Sequence, residues 1–95
     1  MSASLETVVI CYDIVAASDR RRVAKLLEAR MVRVQQSVFE ARITLVAANR
    51  MFERAAREID AGDNLRMYVL SRPGLAKSRV ARGAPLPEEG AFWLL

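Results

Sequence analysis

The run Arg33-Val34-Gln35-Gln36-Ser37-Val38-Phe39-Glu40-Ala41-Arg42-Ile43 is dense in β-branched and aromatic residues, the types that fit a pleated, half-buried surface. Its second half alternates, with Phe39, Ala41 and Ile43 on one face and Val38, Glu40 and Arg42 on the other. Eleven residues exceed the ~5 to 6 of an ordinary strand. The run is therefore either one long strand or two short antiparallel strands broken near Gln35-Gln36-Ser37. The second reading lacks the Gly or Asn that a tight hairpin turn favours.

Upstream, Thr7-Val8-Val9-Ile10-Cys11-Tyr12-Asp13-Ile14 is apolar on both alternating faces until Asp13, the pattern of a central strand covered on both sides. Ser18 or Asp19 can cap the helix that follows, about Asp19 to Ala29. Its stripe is Val23, Ala24, Leu26 and Leu27, with Arg20, Arg21, Arg22, Lys25 and Glu28 outward. Downstream, Thr44 caps a second helix with Leu45, Ala48, Phe52, Ala55 and Ile59 at helical spacing, ending before Gly62. Leu65 to Leu70 alternates again, Leu65, Met67 and Val69 opposite Arg66, Tyr68 and Leu70, and is a last core strand.

The order βα(β)βαβ predicts an α+β sandwich of ferredoxin-like type, an antiparallel sheet with both helices on one face. Residues 1–71 form this core. From Arg72 onward Pro73, Gly74, Gly83, Pro85, Pro87 and Gly90 break regular structure, before Phe92-Trp93-Leu94-Leu95 closes the chain as an apolar end with a short terminal strand. The 72–95 tail belongs to the same domain.

Composition narrows the function. A chain of 95 residues, 53% hydrophobic and 27% charged, is one soluble domain. Such a chain buries only ~60 to 65% of its unfolded surface, so self-association is an expectation. Thirteen of the fifteen cations are Arg and the net charge is +4, which favours an anionic partner. The absence of His removes Ser-His-Asp and Cys-His chemistry, imidazole acid/base work and His-ligated zinc. The single Cys11 fits a buried thiol in a reducing compartment. No stretch approaches the ~20 apolar residues of a membrane span, so no membrane partner and a cytoplasmic location are expected.

Asp13 is the sharpest candidate, because a carboxylate at the end of a buried strand sits where a rigid element can hold a metal or a reacting group. Mg²⁺ takes one or two carboxylates plus waters and phosphates, so two copies of Asp13 across a two-fold axis would make a workable site. The bland alternative has Asp13 capping or salt-bridging the following loop, with Arg20 as its partner. Arg20-Arg21-Arg22 opens a helix where the macrodipole disfavours cations, a mild phosphate signal. Arg50, Arg54 and Arg57 share one helix face, either as a backbone-tracking stripe for nucleic acid or as a solvated face with pairs such as Glu53 with Arg57. Tyr12, Phe39 and Tyr68 are base-stacking candidates or, as aromatics more often are, core. Ser37 has no base beside it and is a poor nucleophile.

Tyr12-Asp13-Ile14, the Arg-rich helix Arg20-Arg21-Arg22-Val23-Ala24-Lys25-Leu26-Leu27, then Arg33-Val34-Gln35 and Ser37-Val38-Phe39-Glu40 together resemble the CRISPR-associated endoribonuclease family, the small non-integrase member of the two-protein adaptation core. The resemblance continues to about residue 70 and includes the Gly-Ala-Pro-Leu-Pro of the tail. It implies a ferredoxin-like homodimer with facing sheets, a hairpin break at Gln35 to Ser37, and a magnesium site between two copies of Asp13. The same matching places Tyr12, Arg20, Arg22, Arg33 and Phe39 on positions the family associates with activity, with Ser37 in the same loop. Two departures bear on the loops. The usual acidic pair after the first strand is here Ala17-Ser18-Asp19, and the Gly-containing turn before Arg-Val-Gln is Ala29-Arg30-Met31-Val32.

The function so implied is CRISPR adaptation in antiviral defence: a homodimeric adapter that holds duplex DNA for spacer integration by the CRISPR-associated integrase, with Mg²⁺-dependent phosphodiester cleavage as an added activity. In it Arg50, Arg54, Arg57, Arg72, Lys77, Arg79 and Arg82 would track phosphates, and the apolar terminus would dock on the dimer or the integrase. The nucleic-acid partner so implied is duplex DNA, with single-stranded RNA as a second candidate, and the alternative function is a stand-alone, toxin-like metal-dependent endoribonuclease with the same fold.

Overall fold

The computed structural model describes residues 4–87. Four strands and three helices follow in the order β1 (Leu5–Asp13), α1 (Ala17–Glu28), β2 (Val32–Gln35), β3 (Val38–Thr44), α2 (Leu45–Ala56), β4 (Asn64–Leu70) and α3 (Arg72–Lys77). The long β run is thus a hairpin, turning at Gln36-Ser37. The sheet order is β2-β3-β1-β4 and every pairing is antiparallel, which is the βαββαβ ferredoxin-like arrangement expected from the sequence.

Alternation decides which side chains meet the helices. Val8, Ile10 and Tyr12 of β1 and Phe39, Ala41 and Ile43 of β3 point to one face, where they are buried with Val23, Ala24 and Leu27 of α1 and Ala48, Met51 and Ala55 of α2. Leu65 and Met67 of β4 pack on this cluster from the sheet edge. The opposite face carries Val9, Cys11 and Val38, all half-buried, and Tyr68, which is 48% exposed. Tyr68 is therefore not the core residue that aromatic statistics favour. Two polar side chains of that face are nevertheless buried: Arg42 donates to Thr7 Oγ1 at 3.1 Å, while its Nε–H finds no acceptor among the described residues.

Several boundaries differ from the sequence reading. β1 begins at Leu5 and ends at Asp13, so Ile14 leaves the strand. Neither Ser18 nor Asp19 caps α1; the cap position is Ala16, without a side-chain bond, and Asp19 is buried one turn in and paired with Arg22. α2 starts as expected, Thr44 Oγ1 accepting from the Ala47 amide at 3.2 Å, but it ends at Ala56. Leu45 is exposed, and Met51 takes the buried position instead. The largest correction is α3. Pro73 does not break structure there but opens a helix, with Ser71 as its cap, since a first-turn Pro forfeits no intrahelical bond. The expected terminal strand lies outside the described residues.

Candidate functional site

β1 delivers Asp13 to its own end, opposite Asn64 of β4, and the chain then turns through Ile14 and Val15 into α1. Two side chains hold this exit. Arg20 returns from the first turn of α1 to donate to the carbonyls of Ile14 and Val15 at 2.9 and 2.8 Å. From the other side, Asp63 accepts from the Val15 amide at 3.0 Å and the Asp60 amide at 2.9 Å. Those two bonds hold the Asp63 carboxyl below the ordinary carboxylate range.

The hairpin turn forms the opposite bank. Arg33 Nε donates to the Gln36 carbonyl at 2.9 Å, and Arg33 also reaches Glu28 at 3.5 Å. The Arg33 guanidinium lies over the Phe39 ring, 5.6 Å from its centroid. Phe39 stacks on Tyr12 with centroids 6.2 Å apart, and the Tyr12 amide donates to the Ser37 carbonyl at 3.1 Å. Between α1 and this turn opens a cavity of about 740 Å³ whose walls include Asp13, Arg20, Arg33 and Ser37.

The structure therefore brings Tyr12, Asp13, Arg20, Arg33 and Ser37 to one cavity and leaves other candidates elsewhere. Phe39 is completely buried, so it supports Tyr12 and Arg33 from behind and cannot stack on a base as the molecule stands. Tyr12, 6% exposed, is likewise a wall. Arg22 is outside the cavity, paired with Asp19 and reaching Glu58 at 3.2 Å, where it braces α1 against the end of α2. The salt bridge from Asp13 to Arg20 does not form: Arg20 is spent on backbone carbonyls, and Asp13 has no ion pair among the described residues.

On α2 and just beyond it, Arg50, Arg54 and Arg57 are all exposed, and no Glu53–Arg57 pair forms among the described residues. Lys77 ends α3, and Arg79 and Arg82 follow it, all exposed. None of these six lines the cavity.

Residues 6–77 match the family model described as CRISPR associated protein Cas2. The chain belongs to the Cas2 family. It is 35% identical over 88 residues to CRISPR-associated endoribonuclease Cas2 2 of Synechocystis sp., covering 90% of this chain and 95% of that one. A solved structure of a hypothetical protein from Thermus thermophilus matches with a TM-score of 0.73 and 34% identity, covering 88% of this chain and 99% of the other. A chain of a partial Cas6-RT-Cas1–Cas2 complex matches with a TM-score of 0.69 and 28% identity, over 84% of this chain and 88% of that one.

Within this Cas2 fold, Lys25 and Asp63 escaped the sequence reading, and Arg21 entered it only through the phosphate signal of Arg20-Arg21-Arg22. Arg21 and Lys25 line the same cavity. Positions 17, 20, 21, 24, 25 and 28 recur at helical spacing, and their exposed members occupy a side of α1 that excludes Arg22. Asp63 left no such signal, because its partner Val15 lies 48 residues away. Asp19, Asp60 and Asp63 also bring carboxylate oxygens within 4.8 Å of one another; Asp13 is not part of that group.

Proposed function

We propose that this protein is the non-integrase component of CRISPR adaptation, a homodimer that holds duplex DNA while a partner integrase joins it into the array. The observation that carries the reading is the match, over most of both chains, to the protein solved within a Cas1–Cas2 complex. The sheet face turned away from α1 and α2 supports a dimer: Val9, Cys11, Val38 and Tyr68 lie on it among the polar Thr7, Glu40, Arg42 and Arg66, a mixed surface of the kind a second copy can cover. The exposed Arg50, Arg54 and Arg57 supply phosphate contacts that carry no sequence information. None of the three helices is long and apolar enough to cross a membrane.

A second reading is metal-dependent cleavage at the same site, favoured by the free Asp13 carboxylate beside the cationic wall. The donor set fits Mg²⁺, a hard cation for oxygen ligands: Asp13 is exposed and forms no ion pair among the described residues, and one carboxylate from each of two copies meets what Mg²⁺ asks of protein. Bound there, the metal would supply Lewis-acid polarisation of a phosphoryl oxygen and a nucleophile at neutral pH. The chain's own part is positional. Arg20 fixes the backbone that carries Asp13, and Arg33, held over Phe39, places positive charge along the opposite bank.

The test incubates purified protein and Asp13→Asn with labelled single-stranded RNA and duplex DNA, with magnesium or chelator, and assays integrase co-elution in parallel. Cleavage that needs metal and disappears in Asp13→Asn supports the nuclease. Co-elution and duplex binding unchanged by Asp13→Asn support the adapter; loss of both in the unmutated protein overturns it.

A further inference from the structure

Strand alternation turns Asp13 to the sheet face away from α1 and α2, in line with Val9 and Cys11. Its neighbours across the strand come from β4: Asn64 stands directly opposite Asp13, and Arg66 stands opposite Cys11. Arg66 is thus the diagonal neighbour of Asp13, about 7 to 8 Å away from Cα to Cα.

Asn64, Arg66 and Tyr68 alternate along one strand and so share this face. Arg66 Nε donates to Asn64 Oδ1 and its Nη1 to the Tyr68 hydroxyl, both at 3.1 Å. Both acceptors are neutral, and Arg66 forms no ion pair among the described residues, so its charge stays uncompensated. A guanidinium carries five N–H donors; these two bonds leave its Nη2 end uncommitted. An exposed arginine must give up rotamer freedom when a ligand fixes it, and here two neighbours have already restricted it.

Place matters as much as charge. β4 is an edge of the sheet, so Arg66 lies at the rim of the face, open from the side even when a second copy covers its middle. Asp13 alone would repel an approaching phosphate, and Arg66 is the cation that shares its face at the β1–β4 end. Neither residue is neutralised by the other, since Arg66 is held along its own strand.

We infer that Arg66 is a phosphate-contacting residue of the Asp13 site, with Asn64 and Tyr68 as its positioning residues. The inference rests on the nucleic-acid reading above and adds a contact on the sheet side, outside the cavity that Arg20 and Arg33 line. Its ligand is a phosphodiester group, common to duplex DNA and RNA, and the contact carries no sequence information. Tyr68, 48% exposed, acts through its hydroxyl as a brace for the guanidinium.

The experiment measures binding of fluorescent duplex DNA and of fluorescent single-stranded RNA across a salt series, in chelator so that neither metal nor cleavage takes part. It compares the unmutated protein with Arg66→Gln, Arg66→Lys, Tyr68→Phe, Asp13→Asn and Asp13→Asn/Arg66→Gln. Arg66→Gln is expected to lose about ten-fold in affinity. Its slope of log affinity against log salt should fall by about 0.9 on duplex or about 0.7 on RNA for each phosphate released, and the ligand that shows the fall is the one the site holds. Arg66→Lys and Tyr68→Phe keep the charge and should keep the slope, yet both should lose affinity, one for want of the planar fork and the other for want of the brace. Asp13→Asn removes a negative charge beside the phosphate and should raise affinity about two-fold, a gain absent once Arg66 is replaced.

An unchanged slope on both ligands overturns the inference. So does a gain from Asp13→Asn that persists without Arg66, which would put the two residues on different phosphates. Light scattering guards against a third case: Arg66→Gln reduced to one chain where the unmutated protein has two would assign Arg66 to the interface and overturn its role here. An unmutated protein that binds neither ligand fails the nucleic-acid reading itself and this inference with it, a result distinct from Arg66→Gln binding as well as its parent.

Discussion

The Asp63 carboxylate joins the exit of β1 to the loop before β4 through its bonds from the Val15 and Asp60 amides. Its pKa lies below 3.8, the first cause being the Val15 amide. A carboxyl depressed on folding contributes stability that is present above its unfolded value and is lost as pH falls through the folded one. Asp63→Ala is therefore expected to lower the urea midpoint at pH 7, with the difference from the unmutated protein closing as pH drops below about 4; a pH-independent difference would argue against these bonds as its source. Glu40 has the opposite sign, since burial pushes its carboxyl above 4.5, so its ionisation costs stability at neutral pH. Asp13 was legible because an acidic residue interrupts an apolar run. Asp63 was not, since neither of its amide partners is marked by residue type. The family pattern named Arg20, Arg33 and Phe39; the fold puts Arg20 and Arg33 on the cavity wall with Phe39 behind it, and the tasks of gripping carbonyls and backing a ring came only with that fold. It also included Arg22, which the chain instead uses as a brace to Asp19 and Glu58.

The hairpin between β2 and β3 shows why one element was ambiguous and its neighbours were not. Its turn contains neither Gly nor Asn, and among the described residues no non-Gly residue has a positive φ. The turn is closed instead by side-chain and main-chain bonds from outside it: Arg33 Nε to the Gln36 carbonyl and the Tyr12 amide to the Ser37 carbonyl. A bulge between Arg33 and Gln35 absorbs the register shift. Local propensity cannot reveal a turn whose partners are remote, whereas the β3–α2 junction is announced by Thr44 itself. Removing that cap with Thr44→Ala should cost about 1 kcal/mol in urea denaturation, without changing the slope of the transition, because the Ala47 amide loses its acceptor while the strand before it remains paired. α3 was missed for a related reason. Pro73 and Gly74 read as breakers in isolation, and the helix depends on the Ser71 hydroxyl accepting from the Gly74 amide at 3.1 Å.

Seen whole, the protein has a two-helix layer over one sheet face and a barer face on the other side, with a net charge of +4. Exposed Arg50, Arg54 and Arg57 belong to the helical layer, so a dimer formed through the sheets would leave both arginine stripes outward and available to one duplex. This gives the dimer proposal a consequence in solution. Each phosphate neutralised on B-DNA contributes a slope of ~0.9 in log affinity against log salt. Arg50→Gln/Arg54→Gln/Arg57→Gln should then reduce the slope by about 2.7 if one protomer engages the duplex, and by about 5 if two protomers engage it together. All three side chains are exposed, so the fold should survive, which circular dichroism checks. A drop near the larger value, measured beside a molecular mass of two chains by light scattering, would tie duplex recognition to the assembled pair. The smaller value in a dimer would mean that only one stripe reaches the DNA and that the second faces the integrase. No change at all would remove α2 from the interface and leave the cations Lys77, Arg79 and Arg82 after β4 as the next surface to alter.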